Sequence, residues 1–244
     1  MSESSLRVYT TKYLFKKVKD VVAELVSENP HIKRVLDVPA GAGAFSQFFK
    51  EELKLEVEAS DIDQDKWKYS KVNFTAADLG RKLPYPDNHF DLVVCVEGLK
   101  HITDVSTGIK EMNRVLKGDG FLLITIPNDL CMQSRLRYLT DGFVDTDWIE
   151  PMDPNSENEK SYIHLSSLLS LPYLWYFLKK NRIKVIKTTH DRLRFWSLLF
   201  GFILFPFIYI GTSKSCKKDL QLKREMLSLT WLAGRRNLVL CKKY

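Results

Sequence analysis

The sequence predicts an α/β fold: a doubly wound, Rossmann-like seven-stranded sheet, mostly parallel, with a helical apolar insertion between its last two strands. Three observations predict it. Short, almost wholly apolar runs alternate with stretches of helical periodicity, and the first of these runs ends in a glycine-rich turn. The third is a run of 19 uncharged residues, 195–213, inside the most basic part of the chain. Apolar strands separated by helices need cover on both faces, and right-handed crossovers in a parallel sheet provide it.

The elements follow in order. Residues 13–26 place Leu14, Val18, Val21, Val22, Leu25 and Val26 at helical spacing, and Asn29-Pro30 ends that helix. A compact run at 35–38 leads into Pro39-Ala40-Gly41-Ala42-Gly43, after which Phe45, Phe48, Phe49 and Leu53 share one side of a second helix. Strands are expected at 55–59, 72–76, 90–96 and 121–126, with a helix at 106–116 closed by a turn at 117–120. Residues 141–160 are acidic and proline-bearing, which suits a solvated loop or lid. Ser166 is placed to cap a helix running to about Lys180, and 183–188 and 238–241 read as the last two strands. With no internal repeat and no linker, the chain reads as one domain, 1–244. Within it lie a cofactor-binding core at 30–128, a lid or substrate region at 129–180, and the insertion at 189–236.

The formal charge of +7 suggests a polyanion as partner, but it is unevenly placed. Residues 1–178 carry 21 basic and 27 acidic side chains, whereas 179–244 carry 16 and 3. Arg192 and Arg194 precede the uncharged run, and Lys214, Lys217, Lys218, Lys223, Arg224, Arg235 and Arg236 follow it. Cations around an aromatic-rich apolar segment suit contact with an anionic membrane surface. A single crossing is disfavoured by Pro206 within the run. A buried helical hairpin or a homodimer contact is the alternative. Four cysteines without metal-ligand spacing point to a reducing, cytoplasmic setting, no secretory signal is expected at the polar N-terminus, and no metal site is expected.

Gly41 and Gly43 stand where the chain leaves the first strand and enters a helix, a place suited to close approach by a ligand. Asp61 directly follows the second strand, where a carboxylate can accept from ribose hydroxyls, and Asp78 follows the third on the same edge. Together they indicate an adenosine-containing cofactor. A nicotinamide diphosphate would want a third glycine in the turn, and Phe45 stands near that place.

The motifs VLDVPAGAGAF at 35–45, SDID at 60–63, AADL at 76–79, LPYPDNHFDLVVC at 83–95 and NRVLKGDGFLLITIPN at 113–128 resemble the class I S-adenosylmethionine-dependent methyltransferases. The resemblance is to the broad methyltransferase type 11 group that includes the ubiquinone and menaquinone C-methyltransferases. It implies S-adenosylmethionine as cofactor and an antiparallel last strand. It also implies that Asp37, Gly41 and Gly43 shape the methionine pocket, Asp61 holds the ribose, Asp78 and Leu79 flank the adenine, and Val96 and Glu97 line the methionine side. Pro39 departs from the family, which has glycine there, and removes one N–H.

Methyl transfer needs alignment and, for an oxygen acceptor, removal of a proton. His101 and His164 are the expected bases; capping or packing is the plainer role for the first, and starting a helix for the second. Glu97-Gly98-Leu99-Lys100 lacks the Asn/Asp-Pro-Pro-aromatic turn of DNA amino-methyltransferases, and no RNA-binding module is evident. The expected acceptor is amphipathic or lipid-linked and is met at a membrane surface. The alternatives are a soluble small metabolite and a non-catalytic, membrane-attached module that keeps the fold.

Overall fold

A computed structural model describes residues 10–142 and 169–244. Helix α1 (Lys12–Glu28) leads to β1 (Arg34–Asp37), α2 (Ala44–Gln47, continuing through a wider turn at Phe48–Glu52), β2 (Glu56–Asp61) and β3 (Asn73–Ala76). Strand β4 (Phe90–Val96), α3 (Val105–Val115), β5 (Leu116–Pro127) and α4 (Met132–Asp141) come next. The chain then gives α5 (Leu171–Lys180), β6 (Ile183–His190), α6 (Phe195–Ser215), α7 (Leu220–Met226), α8 (Leu229–Ala233) and β7 (Arg236–Lys243). Residues 143–168 of the expected lid region, with Ser166 and His164, lie outside the described residues; α5 begins at Leu171, with Ser170 at its cap position.

The strands form one seven-stranded sheet in the order β3-β2-β1-β4-β5-β7-β6. All pairs from β3 to β5 are parallel, and β7 runs antiparallel to both neighbours. Alternate strand residues feed two cores, because side chains alternate across a strand. Val35, Ala59, Leu92, Val94 and Leu123 pack beneath α1 and α2, whereas Leu36, Val93, Cys95, Leu122 and Ile124 pack beneath α3 and α5. In the inner strands β1, β4 and β5 both faces are dry, which explains runs too apolar to show a wet face, whereas the edge strands β3 and β6 are partly exposed.

Two of the sequence motifs lock together. Arg114 on α3 donates to the Leu83 and Tyr85 carbonyls at 2.9 and 2.8 Å and pairs with Asp87 and Glu111. Glu111 in turn accepts the Leu83 N–H at 2.9 Å, so the segment before β4 is fastened to α3. One boundary differs from expectation. Residues 117–120 do not simply close α3: Leu116 already pairs with Phe90, and Lys117–Gly120 bulge from the ladder before Phe121 pairs with Leu92.

The insertion is helical, as its composition suggests, and it interrupts the sheet only between β6 and β7. Helix α6 runs unbroken through Pro206 for 21 residues. The proline forfeits the bond to the carbonyl one turn earlier and crowds that carbonyl with its ring, yet the apolar run on either side continues the helix. The buried-hairpin alternative does not hold. Phe202 is 87% exposed and Phe207 73%, and only Ser197, Gly201 and Thr212 are buried. These three fall on one narrow seam. There Ser197 Oγ accepts the Gln133 N–H of α4 at 3.2 Å, and Gly201 faces Met132.

Candidate functional site

The site lies at the edge where the parallel strands end. Gly41, at φ +56°, turns the chain out of β1, and its N–H donates to Asp61 Oδ2 at 2.8 Å. Asp61 Oδ1 accepts the Asp63 N–H at 3.0 Å, so one carboxylate ties the first turn to the end of β2. A carboxylate has about four lone-pair directions, which leaves capacity for hydroxyl donors. Asp78 Oδ1 accepts the Gly80 N–H at 2.7 Å, and its other oxygen pairs with Arg81 at 3.3 Å.

These residues surround a cavity of about 740 Å³. Gly41, Asp61, Asp78, Leu79, Val96, Glu97 and His101 all line it, so the structure gathers seven of the ten expected site residues at one place. Asp37 and Gly43 lie behind the wall. Asp37 is fully buried, accepting from Ser46 Oγ at 2.6 Å, and burial, reinforced by the nearby Asp61, pushes its carboxyl up to about 7 despite that hydrogen bond. Gly43, at φ +93°, is needed for packing: a Cβ there would fall 2.7 Å from Tyr69 Cβ and 2.9 Å from Trp67. The tenth, His164, is among the undescribed residues.

Sequence reasoning missed part of the wall. Thr10 and Thr11 close one side, and Thr11 also caps α1 through the Leu14 N–H. Ile62 and Ile102 add apolar lining. The largest omission is Arg236. Read from sequence as one of the cations flanking the apolar run, it instead reaches from the start of β7 to Glu97, with its Nε 3.0 Å from Glu97 Oε2. Nothing local signals a pairing across 139 positions.

The cavity suits an adenosyl cofactor. Its volume falls within the range of small-molecule sites, roughly 300–1,000 Å³, and it combines apolar walls with a few convergent polar groups. Asp37 Oδ1, at the end of β1 and four residues before Gly41, is buried with no hydrogen-bond partner among the described residues. Such an atom favours a donor or a cation beside it.

Residues 36–124 match the family model described as a methyltransferase domain. The ubiquinone/menaquinone biosynthesis C-methyltransferase UbiE of Shewanella baltica is 34% identical over 119 residues, covering 43% of this chain and 47% of that protein. The chain thus spans about half the length of the curated relatives it matches. A SAM-dependent methyltransferase from Archaeoglobus fulgidus superposes with a TM-score of 0.58 at 16% identity, over 93% of this chain and 94% of that one. Phosphoethanolamine N-methyltransferase 2 of Haemonchus contortus, solved with phosphomonomethylethanolamine and S-adenosylhomocysteine, gives 0.54 at 19% identity over 92% and 52%. At such identities the structural likeness speaks for the fold. The domain match and the motifs at the strand ends make residues 36–124 similar to the methyltransferase domain of these proteins, on a fold that the solved methyltransferases share.

Proposed function

We propose that this chain transfers the methyl group of S-adenosylmethionine to an amphipathic or lipid-linked acceptor met at a membrane surface. The observation that carries the reading is the convergence of Gly41, Asp61, Asp78, Leu79 and Glu97 on one cavity at the strand ends. When bound, the cofactor supplies an already activated methyl group. What remains for the protein is to hold two reactants in line and to exclude water.

Asp61 would hold the ribose hydroxyls with the lone pairs its backbone bonds leave free, and the Gly41 turn would lie against the methionine end. Leu79, Ile62 and Ile102 offer apolar walls for the adenine, with Asp78 beside them. His101 lines the cavity on a short helical turn after β4, and for an oxygen acceptor it is the group on hand to take the proton. Calorimetry with S-adenosylhomocysteine tests the cofactor reading directly: micromolar binding is expected, and its absence would sink the proposal. Tritiated methyl transfer into separated lipid and aqueous extracts then locates the acceptor, with label expected in the lipid fraction.

Chain path supports the membrane part. Strand β6 lies parallel to β5, so the insertion departs from and returns to the edge that carries the cavity. Its outward side bears Phe202, Ile203, Phe207 and Ile210, all more than half exposed, and Lys214, Lys217 and Lys218 follow at the helix end. Aromatic residues beside cations suit the boundary between head groups and acyl chains. The check is co-sedimentation with vesicles of phosphatidylcholine and phosphatidylglycerol. The Phe202→Glu/Phe207→Glu variant is expected in the supernatant. If intact protein ignores vesicles and doubles its mass in solution, α6 is a contact between copies.

A further inference from the structure

Glu97, Lys100 and Arg236 form a charged cluster at the end of the cavity away from Asp61 and Asp78. Glu97 holds a left-handed backbone, φ +58°, unusual for a residue with a side chain, and its N–H is fixed by Thr125 Oγ1 at 2.9 Å. Its Oε2 takes both cations, Lys100 Nζ at 2.7 Å and Arg236 Nε at 3.0 Å. Burial works to raise the Glu97 carboxyl, but the two cations outweigh it and hold it below the usual carboxylate value. It is therefore ionised, and two positive charges share one negative.

Two further polar atoms of the cluster lack partners among the described residues. Among the described residues, Arg236 Nη1 and Glu97 Oε1 are buried with no hydrogen-bond partner, although both residues line the cavity. A guanidinium presents donors in a fixed planar fork, matched to carboxylate and phosphate oxygens. Sheet order separates this cluster from the adenosine half: Asp61 and Asp78 follow β2 and β3, whereas Arg236 opens β7, on the other side of β4.

Resting on the methyltransferase reading, we propose that Arg236, with Lys100 beside it, receives an anionic oxygen of the methyl acceptor, a carboxylate, phosphate or ionised hydroxyl. Glu97 is then a positioning residue. It keeps the two cations together where the acceptor oxygen would lie. The surplus positive charge selects acidic acceptors over neutral ones of equal shape.

The test uses the full chain saturated with S-adenosylhomocysteine, titrated by calorimetry with benzoate and with inorganic phosphate, and with benzyl alcohol as the neutral comparison. Saturable millimolar binding of at least one anion is expected in the parent and in Arg236→Lys. A loss of tenfold or more is expected in Arg236→Gln, with benzyl alcohol unchanged across all three. Equal anion binding by the parent and Arg236→Gln overturns the proposal, as does no anion binding by the parent. A tenfold loss of S-adenosylhomocysteine affinity confined to Arg236→Gln also overturns it, by assigning the guanidinium to the cofactor. If S-adenosylhomocysteine binds to no form, including the parent, the methyltransferase reading itself has failed. Melting curves of the Lys and Gln variants show whether each is folded, and Lys100→Met supplies a second, independent loss of charge with the same expected direction.

Discussion

Pro39 packs so closely on Gly98 that a Cβ placed on the glycine would lie 2.3 Å from the proline Cδ and 2.9 Å from Cys95 Sγ. The residue that departs from the family pattern in the first turn is therefore matched by a bare backbone at the end of β4. Overpacking of this kind costs about 1–3 kcal/mol. Gly98→Ala is expected to lower the melting temperature by about 2–10 °C for a chain of this size and to weaken S-adenosylhomocysteine binding. Pro39→Gly in the same background should recover part of both. A thermal melt and a calorimetric titration of the two variants decide it, and no recovery would mean that Cys95 is the obstacle.

Asp61 accepts two backbone N–H groups, so its loss should affect both folding and binding. Asp61→Ala leaves the Gly41 and Asp63 amides without their acceptor, a cost of about 1–3 kcal/mol. Asp61→Asn places a donor beside one of those donors, so it should behave almost as badly. Affinity for S-adenosylhomocysteine is expected to fall tenfold or more in each, read by calorimetry below the melting range.

Asp37 makes stability depend on pH. In the folded chain burial holds its proton until about pH 7, whereas an unfolded carboxyl gives it up near 3.8. The folded state thus binds the extra proton in between, and its stability falls as pH rises through that window. Asp37→Asn cannot ionise and escapes the loss. The variant should gain up to about 4 kcal/mol relative to the parent at pH 8, and little at pH 4. Urea titrations at the two pH values measure the difference, and an equal effect at both would show that Asp37 is ionised throughout.

Lys217 and Lys218 are exposed just beyond α6. If they meet anionic head groups, each contributes about 1 kcal/mol at low salt and less as salt screens it. Lys217→Glu/Lys218→Glu should lower vesicle affinity roughly 30-fold or more in 50 mM salt, with a much smaller effect at 500 mM. Equal effects at the two concentrations would place the contact on the apolar side chains alone.

Much of the sheet is legible in the sequence because local chemistry dictates it: runs such as 90–96 are buried on both faces, and the acids that follow β2 and β3 are placed by strand direction. The less legible parts are non-local. Arg236 looks like any other cation near an apolar run until β7 folds beside β5 and carries it to Glu97. Gly43 looks like a ligand-facing glycine, yet Trp67 and Tyr69, more than 20 positions later, set its need for a bare Cα. The turn at 117–120 hides a strand start, because Leu116 ends a helical pattern and begins a ladder.

The insertion is closed at its root. Arg194 donates its N–H to the Ala233 carbonyl at 2.7 Å, Arg235 donates to Arg192 at 2.9 Å, and Asn128 Nδ2 reaches the Thr230, Trp231 and Gly234 carbonyls. Chain entering α6 and chain leaving α8 thus stand side by side, with the sheet already complete on either side of them. Such an appendage is a graft in the gardener's sense. A short turn could join the stumps, but the cut would take away Trp231, which α8 buries in the core of the sheet.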